Sequence, residues 1–430
     1  MHPKERRLGA TRRDFLLRSG GAALALSGAG SFLAACSNST TTGGGGGTSG
    51  GNPNANNPLG LPLARPNVPV TLPLYENPIA SGMKPETGGD FTIFNYPDYI
   101  DPAVMKAFGK KYGVTVKVTP FDDINSGITK LASGTVQPDV TEMTPDNIAR
   151  VVAAKLVKPL NLEYIPNLQK NVWPSLVDPF YDKGSHYSVP YTVYSTGILY
   201  RTDYVKEDIP NLTPNPWDIF WHAQKYNGKT ALLSEVRETI GMALLHKGDT
   251  DLNTEDPNKV NQAVKDLQEL YNICNIKVGD LQYSTVAERK AYLNQAWSGD
   301  AISGYLFYAD KESKQALRFW NPGQGNGPIQ NDMWCVCSTT KKPVLAHLWL
   351  NWILDNTQGY NNFLNYNGYQ PPLTEVDPGE MVKKGILPES LSNTVLTAPD
   401  LGPTSLQYMT LTTQGQQLWQ NGYSQFLSGA

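Results

Sequence analysis

Short apolar runs alternate with amphipathic segments at the start of the main body of the chain. Phe91–Phe94 predicts a buried strand, and Asp101-Pro102 predicts a helix start, because aspartate caps a first turn and proline fits within it. Strands that alternate with helices are typical of an α/β fold with a largely parallel sheet and ligands at the carboxyl ends of its strands. The same pattern predicts a helix end at Gly113, a strand over residues 114–118, a helix over Ile124–Ala132 and a strand over Asp139–Glu142.

Two later helices are predicted from their apolar positions. Asp256-Pro257 caps a helix whose apolar residues recur at helical spacing on one face. A second helix over residues 344–355 is apolar on most sides, which predicts a buried position. Neither pattern requires a functional explanation. The apolar face of the first helix consists of Val260, Val264, Leu267, Tyr271 and Cys274.

The first 36 residues predict export and lipid anchoring. Thr11–Leu16 contains a twin-arginine signal, an uncharged run over Ser19–Ala35 follows, and Leu33–Cys36 resembles a lipobox. The alternative is a transmembrane anchor, but this run of small residues is shorter than the roughly 20 apolar residues that a span needs. We therefore expect residues 1–35 to be a signal peptide and Cys36 to be lipidated. The mature protein would then lie on the extracytoplasmic side of the cell membrane, in a periplasm or at the cell surface.

The segment from residue 36 to residue 89 is predicted to be a tether. Ser37–Asn57 is almost wholly Ser, Thr, Gly and Asn, a composition too polar to bury a core. Prolines recur over Pro58–Pro85 and predict a stiffer, extended stretch. Val68–Tyr75 carries enough apolar residues to lie against the folded body. The remaining chain, 90–430, is long enough for two lobes of about 170 residues each.

Charge and composition exclude some classes of function. The whole chain carries a formal net charge of −3, and removal of the basic signal leaves about −7. An acidic surface disfavours nucleic acid, which demands basic patches. The histidines at 186, 222, 246 and 347 are too far apart in sequence for a spaced pair of metal ligands, so no metal site is predicted. No cofactor is expected either.

Three cysteines remain besides Cys36. Cys335 and Cys337 are two residues apart on a predicted strand and therefore face the same side. An oxidising compartment permits a bridge from Cys274 to one of them. Three buried free thiols are an equally compatible outcome, and the sequence leaves the choice open.

Five short motifs occur in an order and spacing that resemble a known family. Together they resemble the spermidine/putrescine-binding family of ABC-importer solute receptors, whose first strand typically ends in N-W-x-x-Y. No single motif is specific, but the ordered set is. The motifs are Asn95–Pro102, Ser188–Tyr191, Ser195–Ile198, Arg237–Leu244 and Gly368–Pro371.

The resemblance implies a two-lobed periplasmic-binding-protein-like fold of type II. Its lobes would be joined by strands that cross a hinge, with the ligand bound in the cleft between them. Such interrupted lobes suit hinge closure, because motion concentrates in the few crossing segments. By this resemblance the first lobe comprises residues 90–194 and 334–376, and the second comprises residues 195–333 and 377–430.

The resemblance also implies which side chains line the cleft. A polyamine needs carboxylates along a slot for its ammonium groups, and aromatic walls for its methylenes. The chain departs from the family where tyrosine, phenylalanine or glutamine replaces an expected tryptophan, at positions 96, 307 and 330. At Thr144-Pro145-Asp146 an acid replaces a tyrosine. The implied ligand-binding residues are Tyr96, Asp98, Tyr99, Thr144, Glu235, Glu238, Phe307, Asp310, Asp332 and Tyr369.

The resemblance implies that the protein binds a solute non-covalently and catalyses no reaction. A monomeric lipoprotein would bind a polyamine-like cation, close its hinge and dock on an ABC permease in the cytoplasmic membrane. The nearest alternative is the same receptor architecture with another solute, such as a sugar, another amine or a metal chelate. A cell-envelope hydrolase would need an activated nucleophile, and the sequence contains no recognisable set for one. A surface-adhesion lipoprotein is a third alternative.

Overall fold

The computed structural model describes residues 60–402 and 404–429, so the predicted signal peptide and Cys36 lie outside the described residues. Within that range, nine strands form one sheet in the order β2-β1-β3-β9-β4-β7-β5-β6, with β8 beside β4. The strands are β1 Asp90–Asn95, β2 Thr115–Pro120, β3 Val140–Met143, β4 Val189–Arg201, β5 Thr230–Leu232, β6 Lys277–Val278, β7 Leu293–Trp297, β8 Leu317–Trp320 and β9 Ile329–Val336.

Helices flank this sheet along most of the described chain. Two helices, Ser298–Ser303 and Asn356–Asn362, continue directly into a wide turn. The two longest helices lie in the second half of the sequence. The α-helices are α1 Pro102–Tyr112, α2 Ile124–Ala132, α3 Ile148–Ala153, α4 Pro166–Asn171, α5 Pro174–Val177, α6 Val236–His246, α7 Pro257–Cys274, α8 Gln282–Thr285, α9 Ser298–Ser303, α10 Lys311–Ala316, α11 Pro343–Ile353, α12 Asn356–Asn362, α13 Pro378–Lys383 and α14 Thr413–Ser428.

The elements predicted from periodicity are present at their expected places. Asp101 accepts a hydrogen bond from the backbone N–H of Ala103 and so caps α1, which Gly113 ends in the left-handed conformation. The predicted helix over Ile124–Ala132 coincides with α2, and α7 and α11 match the two later helices. The prediction of a largely parallel sheet is correct only at its two sides, where β1 pairs with β2 and β3, and β5 pairs with β6 and β7. The centre is antiparallel, because β9 pairs antiparallel with both β3 and β4.

The long strands β4 and β9 join two halves of the sheet. Residues 189–195 of β4 pair with β9, whereas residues 196–201 pair with β7 and β8. The buried apolar side chains form one large cluster around Phe91 and Trp349 and another around Trp217 and Trp419. Two halves joined by crossing strands are the arrangement that permits hinge closure.

The first half extends beyond the boundaries predicted at Trp334 and Val376, because Ile329 and Met333 of β9, assigned to the second lobe, pack in its clusters. Met381, Leu387, Val395 and Leu396 were assigned to the second lobe by the resemblance, but they pack with Phe91 and its neighbours. The reason is that α13 and the turn after it return to cover the first half before the chain crosses over. The last helix, α14, packs in the cluster of the second half.

The last part of the predicted tether lies against the first half of the molecule. Val70 and Leu72 are buried, and the backbone of Val70 pairs with Phe180 and Lys183 at 2.8 and 2.9 Å. Farther back, the Arg65 guanidinium donates to the carbonyl oxygen of Thr410 at 3.0 Å, so this segment touches both halves. Residues 60–89 are therefore not a free linker.

Two expectations about the covalent and membrane state can be compared with the described residues. Cys274, Cys335 and Cys337 are buried free thiols. The alternative of a disulfide from Cys274 is wrong, because Cys274 lies in one half of the molecule and Cys335 and Cys337 lie in the other. In the part of the chain that the structure describes, no helix has the length and apolar character that crossing a membrane requires.

Candidate functional site

Asp332 lies on β9, next to Met333, which pairs with the last residue of β3. Its carboxylate accepts hydrogen bonds from the hydroxyls of Tyr99, Thr192 and Tyr194, at 2.5, 3.0 and 3.2 Å between the oxygens. Burial raises the pKa of Asp332 to about 6, because the three hydroxyls offset the loss of water only in part. The chain therefore holds this acid ready to pair with a cation.

Glu238 is the corresponding carboxylate of the second half. It lies in the first turn of α6 and accepts hydrogen bonds from Trp297 Nε1, Thr196 Oγ1 and Tyr408 OH at 2.9, 3.0 and 3.1 Å. Burial raises its pKa to about 7. The neighbouring guanidinium of Arg237 lowers that pKa only as a lesser cause. Each half of the molecule thus offers one buried carboxylate held by three neutral donors.

Glu142, at the end of β3, is buried without any such support. Its side chain is 0% exposed, and neither carboxylate oxygen has a hydrogen-bond partner among the described residues. Burial raises the pKa of Glu142 well above its usual range, and the negative charges of Asp332, Glu235 and Asp146 raise it further. Its bare oxygens make this corner of the site strongly attractive to a positive charge.

Tyr369 contacts both halves of the molecule through one side chain. Its hydroxyl donates to Asp300 Oδ1 at 2.9 Å, and its ring lies 5.2 Å from that of Tyr99 and 6.5 Å from that of Trp297. Burial raises the pKa of Asp300 to about 7. Gly299 makes room for the ring, because a Cβ there would lie 2.5 Å from the ring of Tyr369.

Tyr96 and Glu235 form a second contact between the halves. The hydroxyl of Tyr96 donates to Glu235 Oε1 at 3.4 Å, and its ring stands edge-on to those of Tyr99 and Phe121 at 6.2 and 4.6 Å. Burial raises the pKa of Glu235 well above its usual range, and Asp280 is the next cause. These two residues close the cleft opposite Tyr369.

The ligand-binding residues implied by the resemblance separate into two groups. Tyr96, Tyr99, Glu235, Glu238, Asp332 and Tyr369 come together at this junction. Thr144 lies beside them and donates to Asp146 Oδ1 at 2.7 Å. The remaining three residues, Asp98, Phe307 and Asp310, are placed differently.

The placement of those three residues has a local cause in each case. Asp98 is exposed and accepts from Tyr366 OH at 3.2 Å. Phe307 is half-buried in the wide turn that follows α9. Asp310 caps α10 and is bound by both terminal nitrogens of Arg289, at 2.7 and 3.1 Å, so that its exposed carboxylate is already paired. The Arg289 hydrogen bonds lower the pKa of Asp310.

Several residues of the site were not identified from the sequence. Glu142 carried a usable signal, since an acid within an otherwise buried strand is unusual. The tryptophan that donates to Glu238 is Trp297, at the end of β7. The others become visible only when distant strands pair. The residues missed are Glu142, Asp146, Tyr194, Trp297, Asp300 and Tyr408.

The charge balance of the site is negative. Within residues 60–402 and 404–429, the site carboxylates Glu142, Glu235, Glu238, Asp300 and Asp332 form no ion pair with lysine or arginine. The side chain of Arg237 is nearby, but it stacks on Trp419 and donates to backbone carbonyls and Asn253. No group of three or more His, Cys, Asp or Glu in this range is arranged to hold a metal ion.

Comparison with known proteins gives the family. Residues 103–388, more than half of the chain, match the family model of bacterial extracellular solute-binding proteins. The chain belongs to this family. Its members are receptors that bind a solute outside the cytoplasm, which agrees with the prediction of a binding protein rather than an enzyme.

Individual relatives agree with the resemblance seen in the motifs. The spermidine/putrescine-binding periplasmic protein 1 of Haemophilus influenzae is 24% identical over 265 residues, which cover 61% of this chain and 69% of that protein. The substrate-binding protein PotD of a spermidine/putrescine ABC transporter from Streptococcus pneumoniae has a TM-score of 0.60 at 23% identity, over 79% and 99% of the two chains. The two-lobed type II fold is confirmed.

A third neighbour carries the same fold with a different ligand in its name. The Atu4243 GABA receptor has a TM-score of 0.55 at 16% identity and covers 78% of this chain and 97% of its own. At these identities, structural similarity establishes the fold alone. The ligand must therefore be argued from the side chains of this chain.

Proposed function

We propose that this protein is an exported lipoprotein that captures a polyamine-like organic cation between its lobes and delivers it to an ABC permease. The observation that carries the proposal is the set of buried carboxylates at the junction, none of which is paired with a lysine or arginine side chain of the described residues. A bound cation supplies the missing charge. Its hydrogen bonds to buried carboxylates are worth roughly 1.5–3 kcal/mol each.

The surrounding rings support an organic cation over a metal ion. Tyr96, Tyr99, Tyr194, Trp297 and Tyr369 stand edge to face around the carboxylates, with neighbouring centroids 5.2–6.5 Å apart. Aromatic faces attract ammonium groups and pack against methylenes. A bare metal ion would instead need three or more oxygen, nitrogen or sulfur ligands converging on it, and the described residues contain no such group of His, Cys, Asp or Glu.

The test is a ligand screen by thermal shift with the purified protein. The panel contains putrescine, cadaverine, spermidine and spermine, with glucose and glutamate as solutes of other charge classes. A ligand present at about 100 times its Kd stabilises a one-site receptor by roughly 2.7 kcal/mol, which is a clear rise in Tm. Stabilisation by amines alone supports the proposal, and stabilisation by neutral or anionic solutes alone contradicts it.

The second candidate is the same receptor architecture with a zwitterionic amine as ligand. The guanidinium of Arg237, which lies close enough to Glu238 to lower its pKa, is the observation that favours it. A carboxylate on the ligand would need a cation in the site, and the guanidinium of Arg237 is the nearest one. Adding γ-aminobutyric acid to the panel separates the two candidates, since its binding requires that Arg237 leave its carbonyl partners.

Lipid anchoring and export by the twin-arginine route complete the proposal. They rest on Arg12, Arg13 and the Leu33–Cys36 segment, which lie outside the described residues. Cys36→Ser should move the protein from the membrane fraction to the soluble fraction. Replacement of both arginines by lysine should leave the precursor in the cytoplasm. Retention of the Cys36→Ser protein in membranes would contradict the lipid anchor.

A further inference from the structure

Glu142 and Asp332 lie on the same face of the sheet. In the antiparallel pairing of β3 with β9, Glu142 is opposite Trp334, and Asp332 is two residues before Trp334 on the same strand. Residues two apart on a strand point to the same side. The two carboxylates therefore share one corner of the cleft, toward Tyr99.

A second buried carboxylate in this half of the molecule, Asp182, is fully bonded. Asp182 is 0% exposed, like Glu142, but accepts from the backbone N–H groups of His186, Tyr187 and Ser188 and from the Ser188 hydroxyl. That pattern is what a structural acid requires, because a buried charge without partners is costly. Glu142 has none of these bonds, so the fold gains nothing from its charge.

A count of charges indicates what Glu142 is for. The carboxylates held by three neutral donors, Asp332 and Glu238, come one from each half of the molecule and match the two ammonium groups of a diamine. Glu142 is a third acid beside Asp332, and a cationic nitrogen bound next to it favours its ionised form, which adds a third negative charge to the site. A diamine leaves this third charge unmatched.

We propose that Glu142 is a specificity-determining residue that binds a third cationic nitrogen, so that the site selects amines with three or more positive charges over diamines. The inference rests on the proposed function, since it assumes that an amine occupies the cleft. Glu142 accepts the additional N–H donors through its two free oxygens, while Asp332 remains held by Tyr99, Thr192 and Tyr194. The ligand class is therefore a triamine or tetraamine.

The test compares putrescine with spermidine, which differ by one aminopropyl group, in calorimetric titrations of the wild-type protein and Glu142→Gln. We expect wild type to bind spermidine at least about 10-fold more tightly than putrescine. Glu142→Gln should weaken spermidine about 10-fold and putrescine less than about 3-fold. Asp310→Asn makes the same chemical change at the exposed carboxylate bound by Arg289, and both affinities should then stay within about 2-fold.

Thermal unfolding of the same variants separates a binding role from a structural one. Glu142→Gln removes a buried ionisable group whose pKa burial raises, and with it the cost of keeping that acid inside the fold, so the protein should gain about 2 °C in Tm while losing spermidine affinity. A structural role for Glu142 would lower the Tm instead, and that result overturns the inference. An equal loss for both amines, or no loss for spermidine, overturns it as well. If wild type binds neither amine, the proposed function itself fails.

Discussion

Two buried carboxylates of the same lobe, Asp182 and Glu142, differ sharply in the hydrogen bonds that their surroundings supply. Around Asp182, three backbone N–H groups and one hydroxyl converge on the side chain. Within β3, Glu142 is equally buried but has no hydrogen-bond donor among the described residues. Because the fold supplies Asp182 with four hydrogen bonds, a general shortage of donors does not explain why Glu142 has none among the described residues. The difference marks Asp182 as part of the architecture and Glu142 as part of the binding chemistry.

The other site acids fall between these extremes. Asp332 and Glu238 each accept three hydrogen bonds, and Asp300 accepts two, from Tyr369 and from the backbone of Trp297. All of these bonds come from neutral groups, which hold a carboxylate in place without cancelling its charge. The number of hydrogen-bond donors therefore ranks the buried acids, from Asp182, which has a structural role, to Glu142, whose role is to bind a ligand.

The largest expected effect is on stability at the structural end of this series. Asp182→Asn replaces one acceptor oxygen by an amide that faces N–H donors, so buried donors lose their partner. We expect a loss of about 3 kcal/mol in the free energy of unfolding, measured by urea denaturation. Amine affinity of the folded protein should be unchanged within about 2-fold. Equal destabilisation by Glu142→Gln would erase the distinction between the two acids.

Glu238→Gln is expected to produce the next largest effect, on affinity. The amide keeps the shape of the side chain and can keep the Trp297 bond, but it removes the charge that a ligand ammonium needs. Affinity for an amine should fall about 10- to 100-fold in calorimetric titration, equivalent to roughly 1.5–3 kcal/mol. Asp310→Asn is again the matched control. An unchanged affinity would remove Glu238 from the site.

The pH dependence tests whether the raised pKa values belong to the binding acids. Burial raises the pKa values of Asp332, Glu238 and Asp300 to about 6, 7 and 7, above those of unfolded chains. An acid must lose its proton before it pairs with a cation, so affinity should rise from pH 5 to pH 8, by up to about 10-fold per pH unit for each proton released.

The stability of the ligand-free protein should follow the opposite trend. Because the folded state binds these protons more tightly than the unfolded state, their contribution is fully present below about pH 4 and is lost as the pH rises through 6 to 7. Thermal unfolding at a series of pH values measures this decline. A rise in ligand-free stability over the same range, after correction with Glu238→Gln, would contradict the assigned shifts.

The sequence predicted the scaffold of the site better than its charge pattern. Periodicity placed β1, α1 and α2, and the resemblance identified Tyr99, Glu238, Asp332 and Tyr369, which the structure brings together. Tyr99, Glu238 and Tyr369 lie within recognisable local motifs. The lack of partners at Glu142 could not be predicted, because it depends on which side chains β9 and β1 place beside β3.

Asp310 illustrates the converse difficulty. Its position three residues after an aromatic residue suggested a cleft acid, but its environment is decided by Arg289, which is 21 residues away in sequence. Whether a carboxylate is paired or bare is a tertiary property. The sequence offers the acid, and the packing of distant elements determines its role.

The smallest expected effect concerns the acid with an intermediate number of donors. Tyr369→Phe removes the hydroxyl that donates to Asp300 but keeps the ring that stands against Tyr99 and Trp297. The free energy of unfolding should fall by about 1 kcal/mol, and amine affinity should change less than about 5-fold. Loss of that bond should also raise the pKa of Asp300 further, since the Tyr369 hydroxyl now lowers it. Affinity in Tyr369→Phe should therefore reach its plateau at a higher pH than in wild type. An identical pH profile in both proteins would mean that the number of hydrogen bonds to Asp300 does not affect binding. The ranking of the acids by donor number would then hold only for its extremes, Asp182 and Glu142.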